Sequence, residues 1–315
     1  MSRRHTALRH LALSIAALPG FRFFDPLAMA PMTVLVTGGS GCVGSGAVRA
    51  LVARGHHVLA LARSERSAER LRALGAESVP GDLANLDWRD AIARSQAVVH
   101  CGLDWSAPPE ASRRVLDWML AEAEGKTLIS TGGTWLFGPG QFTEESALLR
   151  GHGWDWLVDE AEAVQRSKNL RGIVVHPPLV YDWNAESGES SGWMRRMIEE
   201  LRESGSIRVV GSEARRQAVG HTDDVGEVYA MALEHGKAGQ SYNAGAISTT
   251  AGAMARAAAR LAGEGSPRID VLDLQEAANV YGASANGMDM DQVMLSPASE
   301  ALGWQPRHRM LPGEH

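Results

Sequence analysis

Short apolar runs alternate with longer amphipathic patterns from residue 32 onward. Six runs have the length of buried strands, at 33–37, 57–62, 76–79, 97–101, 127–130 and 172–176. Patterns with helical spacing lie between most of them, at 44–54, 66–74, 88–94, 110–123 and 155–166. Strands and helices that alternate in this way are typical of a parallel sheet covered by helices on both faces. The pattern therefore predicts an α/β fold, a doubly wound parallel sheet of the Rossmann type.

The alternation changes after Pro177-Pro178. Residues 183–206 are polar and rich in Gly and Ser, with an amphipathic stretch from Met194 to Leu201, and an alanine-rich helical pattern covers 250–262. We expect residues 32–181 to form the sheet domain. Residues 182–315 are predicted to form mostly a smaller substrate lobe, with strand–helix returns to the first domain around 207–245. Such a lobe would cover the carboxyl ends of the strands, where open α/β sheets bind ligands.

The first predicted strand runs directly into a glycine-rich loop and then a helix. The loop carries Gly38, Gly41 and Gly44. In a dinucleotide-binding turn these positions allow a tight turn, close approach of a pyrophosphate, and close helix–strand packing. The phosphates would bind unpaired N–H groups at the helix N-terminus. The predicted cofactor-binding residues of this loop are Gly38, Ser40, Gly41, Cys42, Val43 and Gly44.

The end of the second predicted strand indicates which dinucleotide would bind. An NAD-selective fold usually has an acidic residue there for the ribose 2′-hydroxyl. This chain has Arg63, followed by Ser64 and Arg66. A guanidinium and a hydroxyl suit a 2′-phosphate better than a free diol. The prediction is an NADP cofactor, with NADPH preferred over NADH, and the alternative is that Arg63 is a solvated loop residue.

Composition narrows the classes of partner. The 315-residue chain has a net charge of −6 and no basic run typical of nucleic-acid binding. Its two cysteines, Cys42 and Cys101, lie in separate elements without metal-type spacing, which indicates a reducing compartment and no disulfide framework. The expected partner is a small-molecule substrate, with no metal, nucleic acid or membrane, and a homodimer is left open.

The first 31 residues do not fit the alternating pattern. Arg3, Arg4 and Arg9 precede an apolar stretch from Leu11 to Leu18, which is too short to span a membrane. Two interpretations remain: a targeting peptide, or a dispensable extension before Met32. We expect a cytoplasmic protein, with organellar or secretory targeting left open, and this segment is set apart from the fold.

Several further motifs, in a consistent order, carry a family resemblance. With the glycine loop, residues 32–306 resemble the short-chain dehydrogenase/reductase superfamily, and most closely its extended or atypical branch of NAD-dependent epimerases and dehydratases. The resemblance implies cofactor contacts at Asp82, Leu83, Cys101, Gly102 and Pro178. The motifs are Gly81-Asp82-Leu83, Val98 to Gly102, His176 to Tyr181 (with His176 where Arg is usual), His221 to Val225, and Leu302 to Pro306.

The chain departs from this family at the catalytic residues. Family members normally place a Lys four residues after a Tyr, so that the Lys lowers the phenol pKa for proton transfer. None of the four tyrosines here is followed by Lys at that spacing. Trp156 and Glu160 occupy the corresponding region, within a residue or two. The Ser that normally polarises the substrate oxygen falls within Ser130 to Thr134, with Gly132, beside Thr131, as the favoured position.

Two hypotheses follow from this departure. In the first, the protein is an NADP(H)-dependent oxidoreductase or epimerase-like enzyme acting on a hydroxyl- or carbonyl-bearing molecule. Thr131 or Thr134 would hold the substrate oxygen, and Glu160 or Asp159 would transfer the proton if burial raises its pKa. Trp135, Trp154 and Trp156, with Asp104, Trp105 and Ser106, would line the pocket. In the second hypothesis, the fold binds NADP(H) without a redox step and acts as a sensor.

Overall fold

The computed structural model describes residues 29–103, 109–184 and 189–314. Seven parallel strands form its central sheet in the spatial order β12-β7-β5-β4-β1-β2-β3. This confirms the predicted Rossmann-type sheet, and all six predicted strands lie in it. The strands are β1 (Thr33–Thr37), β2 (His57–Ala62), β3 (Glu77–Pro80), β4 (Ala97–His100), β5 (Thr127–Thr131), β7 (Arg171–His176) and β12 (Ser241–Asn243).

Helices cover the two faces of this sheet, close to the predicted positions. Ser64 begins α2 because its hydroxyl accepts the N–H of Ser67 at 3.2 Å, one half of a capping box. The core between sheet and helices includes Leu35, Leu59 and Val98, which are fully buried. The helices on the sheet are α1 (Cys42–Ala53), α2 (Glu65–Ala73), α3 (Arg89–Arg94), α4 (Pro109–Glu122), α5 (Asp155–Arg166) and α7 (Thr222–His235).

Helices α1 and α7 pack backbone against backbone. A Cβ atom added at Gly46 would lie 2.0 Å from the carbonyl oxygen of Thr222, and one at Gly226 would lie 2.2 Å from the carbonyl carbon of Gly46. Side chains at these two positions would therefore force the helices apart. The contact fixes the glycine-rich loop, at the start of α1, against an element that comes late in the chain.

The later part of the chain builds smaller sheets and a second core. Tyr181, Met194 and Met254 are buried in this core. The additional helices are a 3₁₀ turn (Thr134–Phe137), α6 (Gly192–Ser204), α8 (Ala251–Leu261), α9 (Leu274–Tyr281), α10 (Ser284–Met288) and α11 (Pro297–Ala301). The additional strands are β6 (Gly140–Phe142), β8 (Leu179–Trp183), β9 (Ser190–Ser191), β10 (Ser206–Val210), β11 (Arg216–His221), β13 (Ile247–Thr250), β14 (Arg268–Leu272) and β15 (Gln292–Met294).

The assignment of cofactor binding to residues 32–181, and of a substrate lobe mostly to residues 182–315, stays a prediction. Strand β12 pairs in parallel with β7, so the chain returns to the central sheet inside the expected interval 207–245. Residues Pro31–His315 form one compact unit, and residues 1–28 lie outside the described part of the chain. Among the described helices, none is long and apolar enough to cross a bilayer.

Candidate active site

The glycine loop forms a cradle that only glycines allow. Gly38 has a φ of +69°, and a Cβ there would lie 2.5 Å from the amide nitrogen of Gly102. A Cβ at Gly44 would lie 2.3 Å from the carbonyl oxygen of Gly38. Gly41 begins α1 without a side-chain cap, so the first N–H groups of the helix have no partner within it. This loop fits the pyrophosphate of a dinucleotide.

A smaller cavity of about 500 Å³ lies beside the end of β2, where the adenosine half of such a cofactor is expected. Arg63 and Asp82 both line it. Arg63 is exposed and forms no ion pair among the described residues. The hydroxyl of Ser64 caps α2, so it is already partly used. Leu83 is half-buried and lies close to Gly102, since a Cβ added at Gly102 would be 2.9 Å from its side chain.

The main cavity, of about 750 Å³, opens at the carboxyl ends of the central strands. Residues that follow β4, β5 and β7 line it, so the topology brings together segments far apart in sequence. Six of the predicted cofactor residues contribute to its wall, namely Gly41, Cys42, Val43, Gly44, Cys101 and Gly102, and buried Pro178 joins them. Ser40 is half-buried and lies outside both cavity walls.

Glu160 lines the main cavity from helix α5. Its side chain is 9% exposed, and the hydroxyl of Ser112 donates to its Oε2 at 3.3 Å. Its Oε1 is buried without a hydrogen-bond partner among the described residues. Burial raises the pKa of Glu160 to about 7, against the weaker opposing effects of Ser112 and Arg113. The carboxyl group is therefore able to hold or release a proton near neutral pH.

Thr131 also lines the cavity, but its hydroxyl is already engaged. It donates to the carbonyl oxygen of His100 at 2.7 Å and lies 2.7 Å from the hydroxyl of Tyr229. Thr134 donates to the side-chain oxygen of Gln292 at 3.2 Å. Neither threonine keeps a free donor for a substrate oxygen. The neighbouring Ser130 lines the cavity with a buried hydroxyl that has no partner among the described residues.

His176 occupies the space that a side chain at position 132 would need. A Cβ at Gly132 would lie 2.4 Å from Nδ1 of His176. The ring is 1% exposed, and Nδ1 accepts the N–H of Gly133 at 3.3 Å. Burial lowers the pKa of His176 to about 4, so the ring is neutral at physiological pH. The imidazole at 176 and the glycine at 132 are therefore sterically coupled.

The predicted aromatic wall is present in part. Trp135 and Trp154 line the cavity, whereas Trp156 does not; it packs on the cluster of Leu136, Leu157 and Val158. Of the residues of α5, Leu157, Glu160 and Ala161 line the cavity. Trp156 therefore does not share the environment of Glu160 in the cavity wall.

Asp159 lies on the other side of α5. Its carboxylate is exposed and pairs with Arg150 at 2.8 Å. Of the two neighbouring carboxylates considered from the sequence, only that of Glu160 reaches the cavity. Asp104, Trp105 and Ser106 lie outside the described residues.

The two cysteines and His221 have roles that do not require reactivity. Burial raises the pKa of both Cys42 and Cys101 to about 11, so both remain thiols at neutral pH. Nδ1 of His221 accepts the N–H of Asp223 at 3.2 Å and thereby caps α7. Among the described residues, no group of three or more His, Cys, Asp and Glu side chains could hold a metal ion.

The wall of the cavity includes residues that the sequence pattern did not single out. Ser112 comes from α4, Trp193 and Arg196 from α6, and Tyr281 from the end of α9. These residues lack a local motif. Arg196 stands within an amphipathic helix, where the sequence alone gives no reason to separate it from solvated neighbours such as Arg195.

Comparisons with known proteins agree with this architecture. An uncharacterized protein of Schizosaccharomyces pombe is 27% identical over 305 residues, which is 89% of this chain and 97% of that protein. A nucleoside-diphosphate-sugar epimerase from Pseudomonas aeruginosa has a TM-score of 0.68 and 16% identity, covering 88% of this chain and 92% of that chain. A dTDP-glucose 4,6-dehydratase from Bacillus anthracis, solved in complex with NAD, has a TM-score of 0.68 and 14% identity, covering 89% and 94%.

At these identities the two solved structures show a shared fold and leave the substrate open. The family is shown by a family model that matches more than half of the chain. The model of the NAD dependent epimerase/dehydratase family matches residues 34–149 and 156–245, which include the glycine cradle, β5 and helix α5 with Glu160. The chain therefore belongs to the NAD dependent epimerase/dehydratase family.

Proposed function

We propose that this protein is an NADP(H)-dependent oxidoreductase or epimerase-like enzyme that acts on a hydroxyl- or carbonyl-bearing small molecule, with Glu160 as its proton donor and acceptor. The observation that carries this proposal is the position of Glu160: a buried carboxyl group with an unpartnered oxygen in the wall of the cavity next to the glycine cradle. A pKa of about 7 suits general acid–base catalysis at neutral pH.

The glycine cradle and residues 101–102 would hold the cofactor, which when bound would supply a hydride to the substrate carbon as NADPH or accept one from it as NADP+. In the direction of reduction, protonated Glu160 donates its proton to the carbonyl oxygen, and the product is an alcohol. The resulting carboxylate accepts a hydrogen bond from Ser112 until it regains a proton from solvent. In the direction of oxidation, the carboxylate takes the hydroxyl proton.

Ser130 is our candidate for binding the substrate oxygen. Its hydroxyl is buried, unpartnered among the described residues, and part of the cavity wall. It replaces Thr131 in this role because the hydroxyl proton of Thr131 is given to the carbonyl of His100. His176 would support the same region by keeping a neutral ring against the loop at Gly132 and Gly133.

The preference for NADPH rests on Arg63. Its guanidinium lies in the wall of the smaller cavity without an ion-pair partner among the described residues, where a 2′-phosphate would supply one. The acidic residue Asp82 lines the same cavity, and its Oδ1 accepts the N–H of Ala84 at 2.8 Å. This hydrogen bond holds the carboxylate on its own loop, and the expected contact of Asp82 with the adenine leaves Arg63 to meet the 2′-phosphate.

The test is a hydride-transfer assay with NADPH on a panel of aldehydes, ketones and enones. The wild-type protein, Glu160→Gln and the matched control Glu162→Gln are compared at pH 7. Glu162 is on the same helix but pairs with Arg150 and Arg166 outside the cavity. We expect the Glu160→Gln rate to fall about 100-fold or more, in line with the loss of a positioned acid, and the control rate to be unchanged.

Two other outcomes would contradict the proposal. Full activity of Glu160→Gln would place the proton transfer elsewhere. Tight NADPH binding by the wild-type protein with no oxidation by any member of the panel would favour the sensor hypothesis over an enzyme.

A further inference from the structure

Arg196 presents an unpaired positive charge to the main cavity. It lies on α6 and lines the cavity, and its Nη1 is buried without a hydrogen-bond partner among the described residues. Its guanidinium lies over the ring of Tyr281, with 5.0 Å between Cζ and the ring centroid. The aromatic ring holds the guanidinium in place without neutralising it.

Three other arginines of the later part of the chain pair with carboxylates of the protein itself. Nε of Arg208 lies 2.5 Å from Oε1 of Glu200, and the same oxygen accepts the hydroxyl of Tyr281 at 2.9 Å. Arg215 and Arg216 pair with Asp289 and Asp291 at 2.9 and 2.6 Å. Arg196 is thus the one arginine of this group that lacks a carboxylate partner among the described residues.

The other residues of the cavity wall indicate which polar and apolar groups a matching ligand would carry. Two more buried donors of the cavity wall, the indole nitrogens of Trp135 and Trp193, have no partner among the described residues. Apolar side chains also line this cavity, including Met197, Val209 and Met254. A ligand that satisfies such a wall combines acceptor oxygens with an apolar body, since unpaired buried donors are costly.

We propose that the substrate of this site is an apolar carbonyl or hydroxyl compound that carries one carboxylate, and that Arg196 binds this carboxylate. The proposal rests on the function proposed above and adds the class of substrate. One uncompensated guanidinium matches one negative charge. A phosphate monoester carries about −1.5 to −2 at neutral pH and would keep part of its charge unpaired in an apolar cavity. The reacting carbon would face Glu160, which lines the same cavity.

The proposal can be tested by binding, without turnover. The probes are 3-phenylpropanoate and its neutral isostere 3-phenylpropanamide, titrated calorimetrically into the full chain with and without NADPH. The variants are Arg196→Met and the matched control Arg195→Met. Arg195 is on the same helix but is 62% exposed and pairs with Glu199.

In the wild-type and control proteins we expect the carboxylate to bind about tenfold or more tightly than the amide, because charge-assisted bonds are the stronger ones. In Arg196→Met this preference should disappear, with little change for the amide or for NADPH. Equal binding of both probes by the wild-type protein, binding of neither, or a preference that persists in Arg196→Met would overturn the proposal. A variant that loses NADPH affinity instead would show that Arg196 serves the cofactor. Glu160→Gln should keep the preference, so loss of catalysis and loss of anion binding are separable.

Discussion

Replacing Glu160 by Gln should change how the stability of the protein depends on pH. The ordinary pKa of this carboxyl group is 4.5, and burial raises it to about 7 in the folded protein. Between these values the unfolded chain releases the proton while the folded protein keeps it. Stability therefore falls as pH rises through this interval, is not reduced by Glu160 below pH 4.5, and becomes constant again above pH 7.

The expected magnitude follows from the difference between the two pKa values. At about 1.4 kcal/mol per pH unit, Glu160 should reduce the free energy of unfolding by about 3 kcal/mol between pH 4.5 and pH 7. Gln has no proton to lose, so this loss should be absent from Glu160→Gln. Burial lowers the pKa of His100 and His176 to about 4, which gives the opposite trend in the same interval, but both proteins share that contribution and it cancels in their difference.

The assay is urea unfolding of the cofactor-free proteins at several pH values from 4.5 to 8.5. The stability of Glu160→Gln relative to wild type should rise by about 3 kcal/mol up to pH 7 and then level off. Glu162→Gln, which replaces an ion-paired surface carboxylate, should show no such rise. A difference between Glu160→Gln and wild type that stays flat across this range would mean that Glu160 is not a buried acid with a raised pKa, and its proposed catalytic role would lose its basis.

Two further substitutions test the cofactor site and the helix contact behind it. Arg63→Ala should weaken NADPH binding, measured by calorimetry, about tenfold or more and leave NADH binding unchanged. The control Arg66→Ala replaces a residue outside the cavity wall and should alter the binding of neither cofactor. Gly226→Ala should lower the free energy of unfolding by about 1–3 kcal/mol, because the added methyl group meets the backbone of α1. The control Gly265→Ala, which adds its methyl group to open space, should not lower the free energy of unfolding. Unchanged stability of Gly226→Ala would show that α1 and α7 separate at little cost.

The sequence predicts the central sheet well because each of its strands has a local signal. Buried parallel strands are continuous apolar runs, and Val34, Leu35 and Val36 in β1 are fully buried. The helices begin within two residues of their predicted starts, because helical spacing of apolar residues is also a local signal. Strand β12 is only three residues long and has no such run, so its place beside β7 depends on tertiary pairing and could not be located from its own residues.

The candidate site was predictable where a motif is contiguous and less so where the fold assembles it. The glycine cradle follows from its motif, whereas the register leaves Glu160 and Asp159 as alternatives. The engagement of Thr131 by His100 and Tyr229 does not, because it joins three segments separated by 31 and 98 residues. Arg196 and Arg195 are adjacent in sequence and identical in type. Only packing against Tyr281 and the cavity distinguishes the unpaired guanidinium from the solvated one.

The absence of a Tyr–Lys pair leaves acid–base catalysis near pH 7 open to another group. In the family pattern, a Lys lowers the pKa of a phenol toward neutrality, starting from about 10. In this protein, burial raises the pKa of Glu160 toward neutrality from 4.5 to about 7. Both arrangements give an acid whose two protonation states are accessible at pH 7, which is the requirement for passing a proton in either direction. A buried carboxyl group needs no second charged residue, so under the proposed function Glu160 would supply the proton without a lysine.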